Sequence, residues 1–295
     1  MNYHEITCES ALHKLKRKIP FAWDLNLYRG CEHRCRYCFA IYSHRYLDSG
    51  DFFGDIFAKS NILEKLEKEL ASPNWKREIV SIGGVTDSYQ PWEQERKIMP
   101  EVLKLFIRYR TPVIISTKSD LIMRDLELID ELSHVVMVNI AATITTVDEE
   151  LAAKLEPGAV SSKRRFAMLK AMRDTNACTG LHVMPILPYL TDNRNNMEGL
   201  FAGGRDAGVD YVLPGTLYLR GQTRSVFMNF IAHEFPELLA QYQKLYATGG
   251  AGKAYKDELY KMVHAVRDAY HLSGSYMAPL KKKMNELTEK QLTFL

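Results

Sequence analysis

The chain has 295 residues, 46% of them hydrophobic, with 39 Lys and Arg against 36 Asp and Glu, a formal charge of +3. This composition excludes a disordered chain and a disulfide-built mini-scaffold: a chain of this length buries a sufficient core of its own. The small net charge neither demands nor rules out an anionic partner, because binding follows clustered rather than summed charge.

Residues 12–20 are too charged for the apolar core of a secretory signal, and no run of about 18 apolar residues exists to span a membrane. There are five cysteines, an odd number, and three of them are Cys31, Cys35 and Cys38. That is no secreted disulfide framework, so a cytoplasmic protein with no membrane segment is expected. Cys8 and Cys178 read as reduced, inert thiols.

In chain order, residues 23–29 (WDLNLYR) read as a first strand, followed by the cysteine loop and a helix over about 58–70. Residues 78–82 form a second strand with a helix near 95–109, and 112–116 a third with a helix near 124–132. Residues 135–141 form a fourth, followed by helices near 148–155 and 161–173. Residues 180–187 form a fifth with a helix near 195–207, and 209–213 a sixth. The remainder reads as helices over 225–246 and 253–270, separated by Gly249, Gly250 and Gly252. Near-continuous apolar strands alternating with helices imply a parallel sheet with right-handed crossovers. Six units are too few for a closed eight-stranded barrel. An α/β fold is expected, a partial (β/α)6 barrel over residues 1–220 with a helical extension over 221–295. Ligands of such sheets sit at the C-terminal strand ends.

After the first strand comes Gly30-Cys31-Glu32-His33-Arg34-Cys35-Arg36-Tyr37-Cys38-Phe39. Zinc sites usually take four ligands, often as paired C-x-x-C halves, and electron-carrying 4Fe–4S clusters also want four cysteines. Three thiolates on one short loop point to a cubane with one iron left open for a ligand. A non-catalytic iron–sulfur or zinc protein is the alternative of another class. The later strands run into further polar segments. Gly83-Gly84-Val85-Thr86-Asp87 follows the second, where glycines let a ligand approach the backbone, although a Gly-Gly pair is also an ordinary turn. Lys118, after the third, is either a cation for a carboxylate or ribose or a solvated loop residue. Asn139 lies within the apolar fourth strand and needs partners if buried; it faces a ligand or ties down backbone, the ligand role being preferred. Pro185, Ile186 and Leu187 offer an apolar wall at the end of the fifth.

The spacing C-x3-C-x2-C after a first strand resembles the radical S-adenosylmethionine superfamily. The resemblance implies a 4Fe–4S cluster on Cys31, Cys35 and Cys38 whose open iron chelates S-adenosylmethionine. It implies reductive cleavage to a 5′-deoxyadenosyl radical, fed by an external one-electron donor of flavodoxin or ferredoxin type. It further implies that Gly83, Gly84, Thr86 and Asp87 receive the methionyl end, that the backbone of Tyr37 contacts adenine, and that the fifth strand packs against it. NLYRGCEHRCRYCFA (26–40), GGVTDSYQPWE (83–93), STKSDLIMRD (116–125), TTVDEELAAKLEPG (145–158) and PILPYLTD (185–192) together resemble the spore photoproduct lyase-like subgroup, often called DNA repair photolyase-like. The tail from residue 220 carries no match.

Two departures bear on the substrate. The lyases place a hydrogen-donating cysteine where Gly84 stands and a tyrosine where Phe39 stands, and neither residue carries a labile hydrogen. Cys178, before the fifth strand, is expected at the far end of the barrel. The basic runs Lys14-Leu15-Lys16-Arg17-Lys18, Lys163-Arg164-Arg165 and Lys281-Lys282-Lys283 lack interleaved aromatics. They read as solvated faces, so a nucleic-acid partner is not favoured. The substrate is left unassigned.

Overall fold

A computed structural model describes residues 1–16, 21–47 and 49–293; Arg17 and Lys18 of the first basic run lie outside them. The chain opens with β1 (Asn2–Ile6) and β2 (Leu12–Lys14), followed by β3 (Trp23–Leu25) and β4 (Tyr28–Arg29). The cysteine loop and a 3-10 helix (Phe39–Tyr46) lead to β5 (Asp55–Lys59) and α1 (Ile62–Leu70). Next come β6 (Val80–Ile82), α2 (Glu93–Arg96), α3 (Ile98–Arg108), β7 (Val113–Thr117) and α4 (Leu126–Val135). They are followed by β8 (Val138–Thr143), α5 (Glu149–Leu155), α6 (Ser162–Ala171), β9 (Cys178–Ile186), α7 (Arg194–Ala207) and β10 (Tyr211–Thr216). The tail is α8 (Gly221–Glu234), α9 (Leu239–Leu245), α10 (Lys253–Ala269) and α11 (Met277–Thr293).

The main sheet has the order β10-β9-β8-β7-β6-β3-β2. Every pairing from β3 to β10 is parallel, and β2 adds an antiparallel edge. The two edge strands are not paired with each other, so the six parallel strands form an open, partial barrel. A second sheet, β1-β5-β4, lies beside its first strand. All six residues of β8 are buried, as a strand covered on both sides should be. Val80, Ile82, Val113, Ile115, Val138 and Ile140 join the outer core, beneath the helices. The alternate residues, Ser81, Ile114 and Asn139, therefore face the lumen.

Local chemistry moved several boundaries from the sequence reading. The expected strand over 23–29 splits at Asn26. That side chain donates to Asp24 Oδ2 (2.6 Å) and accepts from Val85 N (2.9 Å), replacing ladder bonds. The expected helix over 58–70 begins only at Ile62, because Asp55–Lys59 pairs in parallel with β1. The helix near 95–109 divides at Lys97, which is left-handed (φ +51°). The Glu93 carboxylate then accepts from Ile98 N (3.2 Å) and Met99 N (2.9 Å) and caps the second piece. The helix over 225–246 breaks at Pro236, which cannot continue it.

Candidate functional site

Gly30 turns the chain out of β4 at φ +78°, where a Cβ would stand 2.6 Å from Asp55 O. The cysteine loop that follows is fastened by backbone from several directions. Cys31 N donates to Phe52 O (3.3 Å), Arg36 N to Leu155 O (2.9 Å) and Gly158 N to His33 O (3.0 Å). Glu32 N donates to Gln90 Oε1 (2.9 Å). Gly158 admits this contact because it has no side chain: a Cβ there would lie 1.9 Å from Glu32 O. Behind the loop, the Tyr37 hydroxyl donates to Glu156, and Arg165 Nη1 stands 2.5 Å from the other Glu156 oxygen, all buried.

Cys31 and Cys35 are buried and Cys38 is half-buried. Burial pushes all three thiols up, and Asp87 and the neighbouring cysteines push Cys31 further. Only a few groups favour a thiolate: the His33 N–H at Cys31, the Ala40 and Ile41 N–H groups at Cys38, Lys118 at Cys35 and Cys38, and Arg165 at Cys35. Three neighbouring, largely buried sulfurs with backbone donors and a nearby cation are a donor set that fits an iron–sulfur cluster. Among the described residues no three His, Cys, Asp or Glu side chains converge as ligands of one ion do. A cubane attaches each thiolate to a different iron, so its ligands stand further apart.

The segment after β6 braces this loop. Gly83 has φ +85°. Thr86 Oγ1 donates to Gly30 O (2.6 Å). Asp87 accepts from Thr117 Oγ1 (2.9 and 3.0 Å), Lys118 N (2.8 Å) and Tyr89 N (2.9 Å), and His33 Nε2 stands 3.0 Å from it. Burial alone would raise the Asp87 carboxyl, but His33 and these donors outweigh it and hold it at about 2. Thr86 and Asp87 thus use their polar atoms on protein partners, tying the loop to β7. Gly84 faces Asp24, whose carboxylate oxygens would lie 2.5 and 2.6 Å from a Cβ.

Lys118, Tyr37 and the cysteines come together: Lys118 Nζ lies 5.8 Å from the centre of the Tyr37 ring. Leu187 shares an apolar cluster with Cys35 and Tyr37, whereas Ile186 joins the main core and Pro185 is half-buried. Asn139 lies elsewhere. Its strand starts later than expected, so it is the second residue of β8, toward the floor. Its Nδ2 donates to Tyr211 Oη (3.0 Å), and its Oδ1 has no partner among the described residues. Cys178 opens β9 at that same end, with its thiol toward Pro279 O (3.6 Å).

Several residues escaped the sequence reading. Asp24, Ser81, Ser116 and His182 line the lumen beside Asn139, each a polar residue whose facing depends on register. His182 Nε2 is 3.1 Å from Tyr211 Oη, and its Nδ1 is 3.5 Å from Ser116 Oγ. Burial, with Lys118 adding to it, lowers His182 to about 4. From the tail, Thr223 Oγ1 donates to Cys38 O (2.9 Å), so α8 closes directly on the last cysteine. Nothing short of the fold signals that contact.

Residues 25–198 match the family model of the radical SAM superfamily. An uncharacterized protein of Mycobacterium tuberculosis is 36% identical over 282 residues, covering 94% of this chain and 83% of its own. One of Methanocaldococcus jannaschii is 27% identical over 224 residues, 76% of this chain and 74% of its own. Among solved structures, a spore photoproduct lyase complexed with dinucleoside spore photoproduct superposes with TM-score 0.60 at 13% identity. It covers 80% of this chain and 66% of the lyase. A point mutant of the lyase gives TM-score 0.62 at 12% identity, over 91% of this chain and 78% of the lyase. These superpositions show a shared fold. The chain is a member of the radical SAM superfamily.

Proposed function

We propose that this enzyme holds a 4Fe–4S cluster on Cys31, Cys35 and Cys38 and cleaves S-adenosylmethionine reductively to start hydrogen abstraction from an organic substrate. The observation that carries this reading is the buried three-thiol loop at the C-terminal mouth of a parallel barrel, with Lys118 and Tyr37 against it. Cluster and cofactor together supply the hydrogen-abstracting radical. The chain's own residues bind and orient. Gly83 and Gly84 leave backbone open to the methionyl end, and Lys118 supplies a cation for its carboxylate or the ribose. The Tyr37 backbone and the end of the fifth parallel strand receive adenine, Pro185 and Leu187 offering the apolar wall and Ile186 anchoring it in the main core. Thr86 and Asp87 act as positioning residues for the cluster loop. Asn139 serves the lumen below. We assign residues 1–220 to the barrel and 221–295 to an extension that covers its mouth and floor. No helix among the described residues is long and apolar enough to cross a membrane. A cytoplasmic location with a flavodoxin- or ferredoxin-type electron donor suits the chemistry.

The test is anaerobic reconstitution of wild type and of the triple Cys31, Cys35, Cys38→Ala variant. Wild type is expected to bind iron and sulfide and to make 5′-deoxyadenosine from S-adenosylmethionine and dithionite. The variant should do neither while keeping its helical circular dichroism. Equal 5′-deoxyadenosine from both would overturn the reading.

A second reading, modification of nucleic acid, rests on aromatic residues at the mouth rather than on the basic runs. Phe39 and Tyr46 are 62% and 65% exposed. Arg45 lies over Tyr42 and Tyr46 at 5.6 and 4.7 Å, and Arg220 over Tyr218 at 5.2 Å. Such pairs are the stacking elements of single-strand binders. Anisotropy of a labelled single-stranded oligonucleotide should show salt-dependent binding that weakens in Tyr46→Ala; no binding at low salt would remove this reading.

A further inference from the structure

A groove of about 350 Å3 opens between the cysteine loop and α8, lined by Arg36, Val226, Asn229, Phe230, His233 and Glu234. It forms because α8 lays one face on the loop. Thr223, Val226, Phe227 and Phe230 recur at helical spacing on that face, and Thr223 Oγ1 donates to Cys38 O (2.9 Å). Phe230 belongs to the apolar cluster that holds Cys35 and Tyr37. Val226 packs on the cluster that holds Cys31, Ala40 and Ile41, and the half-buried Cys38 packs on both. The apolar floor of the groove is thus continuous with the packing around all three thiols.

Two arginines of the loop, Arg34 and Arg36, flank Cys35. Arg34 is exposed, and Arg36 is half-buried with its Cζ 5.8 Å from the centre of the Phe230 ring. Among the described residues neither guanidinium forms an ion pair, and Arg36 Nε is buried without an acceptor. The acidic residue of the lining, Glu234, is neutralised by Lys154 Nζ at 3.1 Å. Cations without counter-charges around an apolar floor suit a protein face that carries carboxylates. Neither Lys118 nor Tyr37 lines this groove, so it is separate from the pocket assigned to the cofactor.

We infer that this groove is the docking port of the external electron donor, an acidic one-electron carrier protein that sets carboxylates against Arg36 and Arg34. The inference rests on the radical SAM reading and names the partner surface of that same site. The step transfers one electron: the reduced carrier loses it, the cluster gains it, and no bond is made or broken. Tunnelling falls off exponentially with distance. A carrier must therefore come close to the thiols without entering the lumen, where cofactor and substrate belong. Val226 and Phe230 give it that approach, since each packs with a cysteine of the loop. The unpaired arginines steer the encounter, an effect that salt screens.

The experiment uses the reconstituted full chain with two acidic probes, a flavodoxin and a ferredoxin. Binding is read from the anisotropy of the labelled carrier, and electron entry from bleaching of the cluster absorbance on mixing with the reduced carrier. Wild type is expected to bind at least one carrier at low salt and to release it as ionic strength rises. Asn229→Glu, on the exposed side of the groove, and Arg34→Glu should each weaken binding about tenfold and slow the bleaching. Iron content, and bleaching by dithionite, which needs no docking, should match wild type. Neither carrier binding to wild type, binding that ignores salt, or binding unchanged in both variants overturns the inference alone. A single-stranded oligonucleotide that binds wild type and is lost in Asn229→Glu would give the groove to nucleic acid and overturn it too. Wild type that makes no 5′-deoxyadenosine with dithionite, even with iron and sulfide bound, overturns the parent reading and this one with it.

Discussion

At the mouth of the barrel, the cysteine loop is held mostly through its own main-chain groups. Its N–H groups donate to the Phe52 and Leu155 carbonyls and to Gln90, and its carbonyls accept from Gly158 N, Thr86 and Thr223, while Glu32, His33 and Tyr37 add side-chain bonds. In the lumen beneath, the reverse holds: Asn139, Tyr211, His182 and Ser116 form a chain made of side chains alone. A main-chain cradle keeps its shape whichever side chains pass through it. A side-chain relay depends on every member and on the register of three strands. The first suits a permanent prosthetic group. The second suits the part of the site that adapts to a particular substrate.

The largest expected effect breaks the mouth from behind. Arg165→Met leaves the buried Glu156 carboxylate, which also receives the Tyr37 hydroxyl, without its cation. Losing one partner of a buried pair should cost about 3–5 kcal/mol. Chemical denaturation should show that loss together with poorer iron retention. Arg165→Met that is as stable as wild type would mean the cradle does not lean on Glu156.

A pH series sharpens the contrast, since the two regions titrate in separate windows. His182, lowered to about 4 in the fold, stays neutral where the unfolded chain takes up a proton at about 6.5. Its contribution is present above that range and is lost as pH falls toward 4, by up to about 3 kcal/mol. Asp87, held at about 2, contributes stability that is present above the unfolded carboxyl value of about 3.9 and is lost only as pH falls through 2. His182→Gln should therefore flatten the stability profile between about pH 6.5 and 4 without touching the acid limb. An unchanged profile in that variant would show that the lumen histidine is not neutral in the native state.

The smallest effect is expected at the seam between the regions. Lys118→Ala removes a cation but leaves the hydrogen bonds of the cradle in place, since Asp87 takes the Lys118 backbone N–H. S-adenosylmethionine binding, followed by calorimetry on the reconstituted protein, should weaken about tenfold, as for one charge-assisted hydrogen bond. Iron content should stay the same. Unaltered affinity would place the cofactor away from Lys118.

What was legible in the sequence divides along the same line. Cys31, Cys35 and Cys38 are close in sequence, so their spacing carries their geometry, and β8 announces itself because both of its faces are apolar. The lumen was opaque. His182 and Tyr211 are 29 residues apart and meet only when β9 and β10 adopt one register and Gly180 clears the way. Asn139 was noticed for its polarity, but a strand that starts at Val138 rather than three residues earlier moved it from the mouth to the floor. Residues 55–59 were hidden beside an amphipathic helix, and β1, the strand they pair with, was not read as one.

The bond from Thr223 to the Cys38 carbonyl spans 185 residues of sequence, and that span has a consequence for biosynthesis. A ribosome adding about 5–20 residues per second needs on the order of 10–40 s to travel from one to the other. During that interval the nascent cysteine loop stands without the helix that seals it. A cluster of the kind proposed would meet least obstruction if it were delivered in that interval, while the doorway is still unbuilt. Cells that stall ribosomes near codon 223 should accumulate chains whose thiols remain open to oxidants.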